Sequence, residues 1–177
     1  MINETDYGRA LFELAREQQA DKAVLEELAA VRRILEQEPR YAELLDSPAL
    51  PKEQRLSLLE KAFGGLSQYH LNFLKILCEK HAVKQYAGCA RVYGDLYDEA
   101  HQILRATAIT AVPMTQAQLS ALTDKLRAMT GKTVVVKNTV DARVVGGVQL
   151  RLGGVQLDGS IRSRLEDLRR SLAGVIV

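Results

Sequence analysis

The stretch from Lys132 to Ser160 limits the possible folds of this chain more than any other. It opens with successive β-branched residues. From Val144 to Leu152 a second strand-like run is interrupted by Gly146-Gly147, which predicts a bulge or a close backbone approach. After those glycines apolar and polar side chains alternate, as in a half-buried strand. Gly153-Gly154 then predicts a two-residue hairpin turn. The stretch therefore predicts a small sheet that carries no evident catalytic group.

The first hundred residues show apolar side chains at helical spacing, divided by proline, glycine and capping residues. The expected helices are residues 4–19 capped by Asn3 or Thr5, Asp21 to Pro39, Tyr41 to Leu45, Pro51 to Gly64, 67–80 capped by Ser67, and 85–101. Six helices with short loops favour an antiparallel bundle over residues 1–102.

The pattern changes at Ile103, where the run Ile103 to Val112 predicts a strand. Thr115 to Gln118 is a capping box that opens a helix ending at Gly131, and Ser160 caps a last helix after the three strand runs. Residues 103–177 are thus expected to form a small α/β module in the order βαβββα. The predicted fold class is α plus small α/β.

Charge is unevenly spread, since residues 1–105 carry −3 and residues 106–177 carry +5 of the net charge of +2. No run of about 18 apolar residues predicts a membrane span. The acidic start, Met1 to Asp6, argues against a signal or transit peptide, so we expect a protein without membrane insertion that faces the cytoplasm. Cys78 and Cys89 lie on apolar helical stripes and are expected to be buried free thiols.

Two sequence patterns suggest ligand-binding sites, but their residue spacing or the order of their elements does not match known motifs. Gly131-Lys132-Thr133 resembles the end of a phosphate-binding loop, but Leu126 stands where the first glycine is needed, and a helix precedes the motif. A helix C-cap is the better interpretation. The histidines and cysteines match no common zinc pattern, so neither a metal nor a cofactor is expected.

The fifth helix and the last helix leave alternatives open. In the fifth helix Leu71, Leu74 and Cys78 share one side, while Phe73 and Ile76 lie opposite with Leu77 between. Such a helix is either central in a bundle or lines a groove for an amphipathic helix. The last helix carries four arginines, which form either a solvated face or a surface for an acidic partner; these are Arg162, Arg164, Arg169 and Arg170.

Five segments together resemble the delta-subunit family of F-type ATP synthases, whose mitochondrial counterpart is the oligomycin-sensitivity-conferring protein. Tyr7 to Ala15, YGRALFELA, is similar to the family's Y-A-x-A-L-F-x-x-A opening. The family usually has Ala where this chain has Gly8, which is expected to loosen the first turn. The other segments follow in family order: Asn72 to Leu77, Ala111 to Thr115, Val140 to Gly153, and Asp158 to Ser160.

The resemblance implies a non-catalytic stator subunit that links the catalytic alpha/beta hexamer to the b-subunit peripheral stalk and resists rotor torque during ATP synthesis. It implies that residues 1–102 bind the amphipathic N-terminal helix of an alpha subunit in a groove between the first and fifth helices. The implied groove residues are Tyr7, Ala10, Leu11, Leu14, Phe73, Ile76 and Leu77. Residues 103–177 would bind the C-terminus of the b subunits, through Arg162 and Arg169.

The family further implies one copy per complex, held as a peripheral protein at the cytoplasmic face of a bacterial plasma membrane, with no nucleic-acid partner. Two other functions are compatible with the residues. One is an RNA-binding helical module with a basic C-terminal appendage. The other is an enzyme that uses the glycine-rich loops, with Asp141 and Asp158 as the nearby titratable groups.

Overall fold

The computed structural model describes residues 2–144, 147–152 and 155–158. The chain divides into two compact units, Met1–Glu99 and Ala100–Val177. The first unit is helical and the second combines a helix with a small sheet, so the α plus small α/β class holds. The described helices are α1 Glu4–Glu17, α2 Asp21–Gln37, α3 Pro39–Leu45, α4 Lys52–Phe63, α5 Gln68–Glu79, a 3-10 helix Val83–Gln85, α6 Tyr86–Ala100 and α7 Gln116–Thr130.

Local side-chain chemistry sets several helix ends. The Asn3 side-chain oxygen accepts a hydrogen bond from the Thr5 N–H at 3.1 Å, so Asn3 is the N-cap of α1. The Thr115–Gln118 capping box is present in full at the start of α7. Gly131 ends that helix at φ +66, which confirms the C-cap interpretation of the Gly-Lys-Thr motif.

One expected cap differs from the prediction. The Ser67 hydroxyl does not cap α5, because it donates to Glu27 Oε2 at 2.7 Å across to α2. A tertiary contact therefore replaces the local cap that the sequence suggested. Helix α4 ends at Phe63, immediately before Gly64 as expected, and Gly64 has φ −63 rather than a left-handed angle.

Gly8 was expected only to loosen the first helical turn, but in the structure it also allows close packing between helices. It is buried in α1, and a Cβ placed on it would lie 2.7 Å from the Cys89 carbonyl oxygen and 2.9 Å from Val92 Cβ. Since real Cβ atoms essentially never come that close to other atoms, only glycine lets α1 approach α6 at this point.

The described residues of the second unit form a four-stranded sheet in the order β2-β1-β3-β4. Strand β1 is parallel to β2 and antiparallel to β3, and β4 is antiparallel to β3. Helix α7 packs on β2, where Leu126 joins Ala106 and Val134 in a buried cluster. The strands are β1 Ile103–Thr110, β2 Thr133–Val140, β3 Val148–Leu152 and β4 Val155–Asp158.

The sheet corrects one strand boundary. Val144 belongs to a turn rather than to a strand, because its N–H donates to the Asp141 carbonyl oxygen at 3.0 Å. Strand β3 therefore starts at Val148, after Gly147 at φ +83. Gly146, Gly153-Gly154 and the helix expected after Ser160 lie outside the described residues. Leu152 pairs with Val155, a register that fits a two-residue hairpin connection.

Within the described part of the chain, no helix combines the length and the apolar character needed to span a membrane.

Candidate helix-binding groove

An apolar groove runs between α1 and α5, with a cavity of about 370 Å³. Six of the seven residues that the sequence suggested for a groove line this cavity: Tyr7, Ala10, Leu11, Leu14, Phe73 and Ile76. The seventh, Leu77, is 0 % exposed and does not line it. Leu77 lies in the core instead, because α5 turns that face toward the other helices.

Burial separates the floor of the groove from its edges. Leu11 and Phe73 are 4 % and 6 % exposed and form the floor. Leu14 and Ile76 remain 39 % and 44 % exposed on the two flanking helices. Exposed large apolar side chains that border a cavity on both sides are typical of a surface that a partner covers.

Three further residues line the groove that apolar periodicity does not reveal: Asp6, Tyr69 and Asn72. Each lies one helical turn from a groove residue, since Asp6 precedes Ala10, Tyr69 precedes Phe73 and Asn72 precedes Ile76 by four positions. The i,i+4 rule, applied to polar as well as apolar side chains, is the sequence signal that identifies them.

A buried polar network fixes the back of α5. The His70 side chain is 0 % exposed; its Nδ1 lies 3.1 Å from Glu27 Oε2 and its Nε2 lies 2.8 Å from the Tyr86 hydroxyl. A carboxylate only accepts hydrogen bonds, so Nδ1 donates to Glu27. The Tyr86 hydroxyl has one proton and two acceptors within reach, Nε2 of a neutral His70 ring and the Leu28 carbonyl oxygen at 3.3 Å. Burial lowers the pKa of His70, and Glu27 opposes that effect.

This network reaches the groove through the Phe73 ring. The ring centroid of Phe73 lies 6.2 Å from that of Tyr86 and 6.4 Å from that of His70. Because Glu27 belongs to α2 and Tyr86 to α6, the network ties α5 to both helices. The groove floor is therefore held from behind by satisfied hydrogen bonds and aromatic packing.

The two cysteines are buried and free, as expected. Burial is the main cause that raises the pKa of the Cys78 thiol, and burial also raises the pKa of Cys89 to about 11. Both side chains therefore stay protonated and poorly nucleophilic at neutral pH.

Asp141, suggested as a titratable group beside a glycine-rich loop, stabilises a turn instead. Its Oδ1 and Oδ2 accept from Arg143 Nε at 3.1 Å and Nη2 at 2.8 Å. These hydrogen bonds lower the pKa of Asp141 to about 2, so its carboxylate is ionised and paired. The side chain of Asp158, together with Arg162 and Arg169, lies outside the described residues. Across residues 2–144 and 147–152, no cluster of three or more His, Cys, Asp or Glu side chains is suited to hold a metal.

Comparison with known proteins supports the family resemblance over almost the whole chain. The profile of the family described as ATP synthase delta (OSCP) subunit matches residues 4–172. ATP synthase subunit delta of Alkaliphilus oremlandii is 35 % identical over 172 residues, which cover 97 % of this chain and 96 % of that protein. The proteins of the same name from Geobacillus sp. and Synechococcus elongatus are each 34 % identical, over 95 % and 94 % of this chain and of their own lengths.

The fold has a solved counterpart. A chain in the cryo-EM structure of the Toxoplasma gondii mitochondrial ATP synthase hexamer matches with a TM-score of 0.75 and 22 % identity, over 98 % of both chains. The RNA-binding alternative receives no support from these matches. The chain therefore belongs to the ATP synthase delta (OSCP) subunit family, the non-catalytic stator subunits of the F-type ATP synthase complex.

Proposed function

We propose that the groove between α1 and α5 binds the amphipathic N-terminal helix of an alpha subunit, with residues 1–102 acting as one antiparallel six-helix bundle on the catalytic head. The observation that carries this proposal is the pair of half-exposed side chains, Leu14 and Ile76, on either side of a buried apolar floor. An amphipathic helix fits such a groove by laying its apolar face between them.

The size of the groove suits a helix of moderate length. Helix α1 has 14 residues, which corresponds to roughly 21 Å at 1.5 Å per residue, so about four turns of a partner helix cover it. Full burial of a Leu or Ile side chain is worth about 1.5–3 kcal/mol relative to full exposure. The exposed two-fifths of Leu14 and Ile76 thus contribute about 1–2 kcal/mol together when a helix covers them.

We further propose that residues 103–177 bind the C-terminus of the b subunits, with Arg162 and Arg169 in contact. Support comes from the family and from the charge of +5 on residues 106–177. One copy of the chain then joins the static head to the stalk at the cytoplasmic face of a bacterial plasma membrane. Rotor torque acts on this link, so tight binding rather than chemistry is what the role requires.

A calorimetric titration tests the groove. The full chain is titrated with a peptide of about 20 residues that carries the N-terminus of the alpha subunit from the same organism. Burial of apolar surface predicts binding at micromolar concentration or tighter with a negative heat-capacity change. A segment from the C-terminal end of the b subunits, titrated separately, should bind whether or not the alpha peptide occupies the groove.

The structure offers a matched pair of variants. Ile76→Asp should abolish peptide binding, because it places a charge against the apolar face of the helix. Ile34→Asp is the control, since Ile34 is 43 % exposed against 44 % for Ile76 but lies on α2 and does not line the groove. Normal binding by Ile76→Asp would place the alpha-binding surface elsewhere.

A further inference from the structure

One end of the apolar groove is charged. Asp6, Ala10 and Leu14 follow one another at intervals of four residues along α1, so they share a face over about 12 Å. Asp6 lines the cavity at one end of this row, and the half-exposed Leu14 lines it at the other. The groove is therefore apolar along its length but asymmetric from end to end.

Asp6 has a local role at the start of α1 that uses only part of the hydrogen-bond acceptor capacity of its carboxylate. It lies in the first turn of α1, where a negative charge interacts favourably with the helix dipole. Its Oδ2 accepts a hydrogen bond from Asn3 Nδ2 at 2.7 Å. Among the described residues, no cationic side chain forms an ion pair with it. A carboxylate beside an apolar surface thus keeps acceptor capacity that water satisfies only while the groove is empty.

Covering the groove removes that water. If an apolar side chain of the partner lay over Asp6, the charge would lose hydration without compensation, which opposes binding. A cationic side chain at the same place would replace the lost hydrogen bonds and pair the charge. Resting on the proposed function, we infer that the groove accepts its helix in one direction, with a Lys or Arg side chain of that helix paired to Asp6. The reversed helix is disfavoured because it would leave the carboxylate unpaired.

Two variants of α1 test the role of the charge in the same calorimetric titration. Asp6→Asn removes the charge but retains a side-chain oxygen for Asn3, so α1 keeps its cap. It should weaken binding of the alpha-subunit peptide roughly three- to tenfold at low salt and reduce the dependence of affinity on salt. Glu13→Gln makes the same change of charge on an exposed position of α1 outside the cavity lining, and should leave affinity within about twofold.

Peptide variants then locate the partner charge. Each Lys and Arg of the peptide is replaced in turn by Gln and titrated against both the original chain and Asp6→Asn. One replacement should weaken binding to the original chain but not to Asp6→Asn, which is the coupling that a double-mutant cycle measures. Exchanging the two charges, with Asp6→Lys and a Glu at that peptide position, should restore most of the affinity.

The outcomes separate this inference from the proposed function. If the peptide binds and Ile76→Asp abolishes binding, but no peptide charge couples to Asp6, the groove is right and the pairing is wrong. If the peptide does not bind the original chain at all, the proposed function fails and the inference fails with it.

Discussion

Gly8 offers the sharpest test of the packing in the helical unit. In Gly8→Ala the new methyl group would meet the Cys89 carbonyl oxygen at 2.7 Å and Val92 Cβ at 2.9 Å. One contact is with backbone, so α1 and α6 must move apart, and overpacking of this kind costs typically about 1–3 kcal/mol. Alanine is favoured over glycine in a helix by about 1 kcal/mol, which leaves a net loss of about 1 kcal/mol. For a domain of this size the melting temperature should fall by roughly 4–8 °C.

Gly94 supplies the matched control. It lies inside α6, and the nearest atom to an added Cβ is Leu25 Cδ1 at 4.0 Å, an ordinary contact. Gly94→Ala should therefore gain about 1 kcal/mol from helix propensity alone. All six tyrosines lie before residue 100 and the chain has no tryptophan, so tyrosine fluorescence in urea reports on the helical unit. Equal stabilisation by both variants would refute the close approach of α1 to α6.

Two further predictions concern one buried and one half-buried polar side chain, His70 and Asn138. Because burial lowers the pKa of His70, the unfolded chain binds its proton more readily, so the free energy of unfolding should fall as the pH drops below about 6.5. Urea titrations at pH 5 and pH 7 measure how much the free energy of unfolding falls, and this fall should be smaller for His70→Gln than for the original chain. An equal fall in the two chains would contradict a lowered pKa of His70 as its cause. Asn138 accepts from the Met114 N–H at 2.9 Å and donates to the Ala108 carbonyl oxygen at 3.0 Å. Asn138→Ala should cost about 1–3 kcal/mol and speed hydrogen exchange of the Met114 amide, and an exchange rate equal to that of the original chain would be inconsistent with this pairing.

The candidate site was predictable only in part. Helical spacing identified the apolar faces of α1 and α5, and the family resemblance paired the two helices in a groove. Six of the seven residues that the resemblance implied line one cavity. Spacing alone could not distinguish Ile76 from Leu77, which are neighbours on α5 but are 44 % and 0 % exposed. The two residues are about 100° apart on the helical wheel. The difference in their exposure depends on which helices pack behind α5. Asp6 was missed for another reason: a charged residue in a first helical turn already has a sufficient local explanation.

Features that depend on interactions between residues close together in the chain could be predicted from the sequence alone. The Asn3 cap, the Thr115–Gln118 capping box and the left-handed Gly131 all depend on contacts within one helical turn. Local patterns of this kind also carried the family resemblance.

Tertiary packing settled which surfaces those elements share. The Ser67 hydroxyl binds Glu27 of α2 instead of capping its own helix, and Gly8 packs against the α6 backbone. In both cases the partner is distant in the chain, and a contact of that kind leaves no periodic pattern in the sequence. Periodicity states which side chains point the same way, whereas packing decides what covers them, and a groove is a face that the chain itself leaves uncovered.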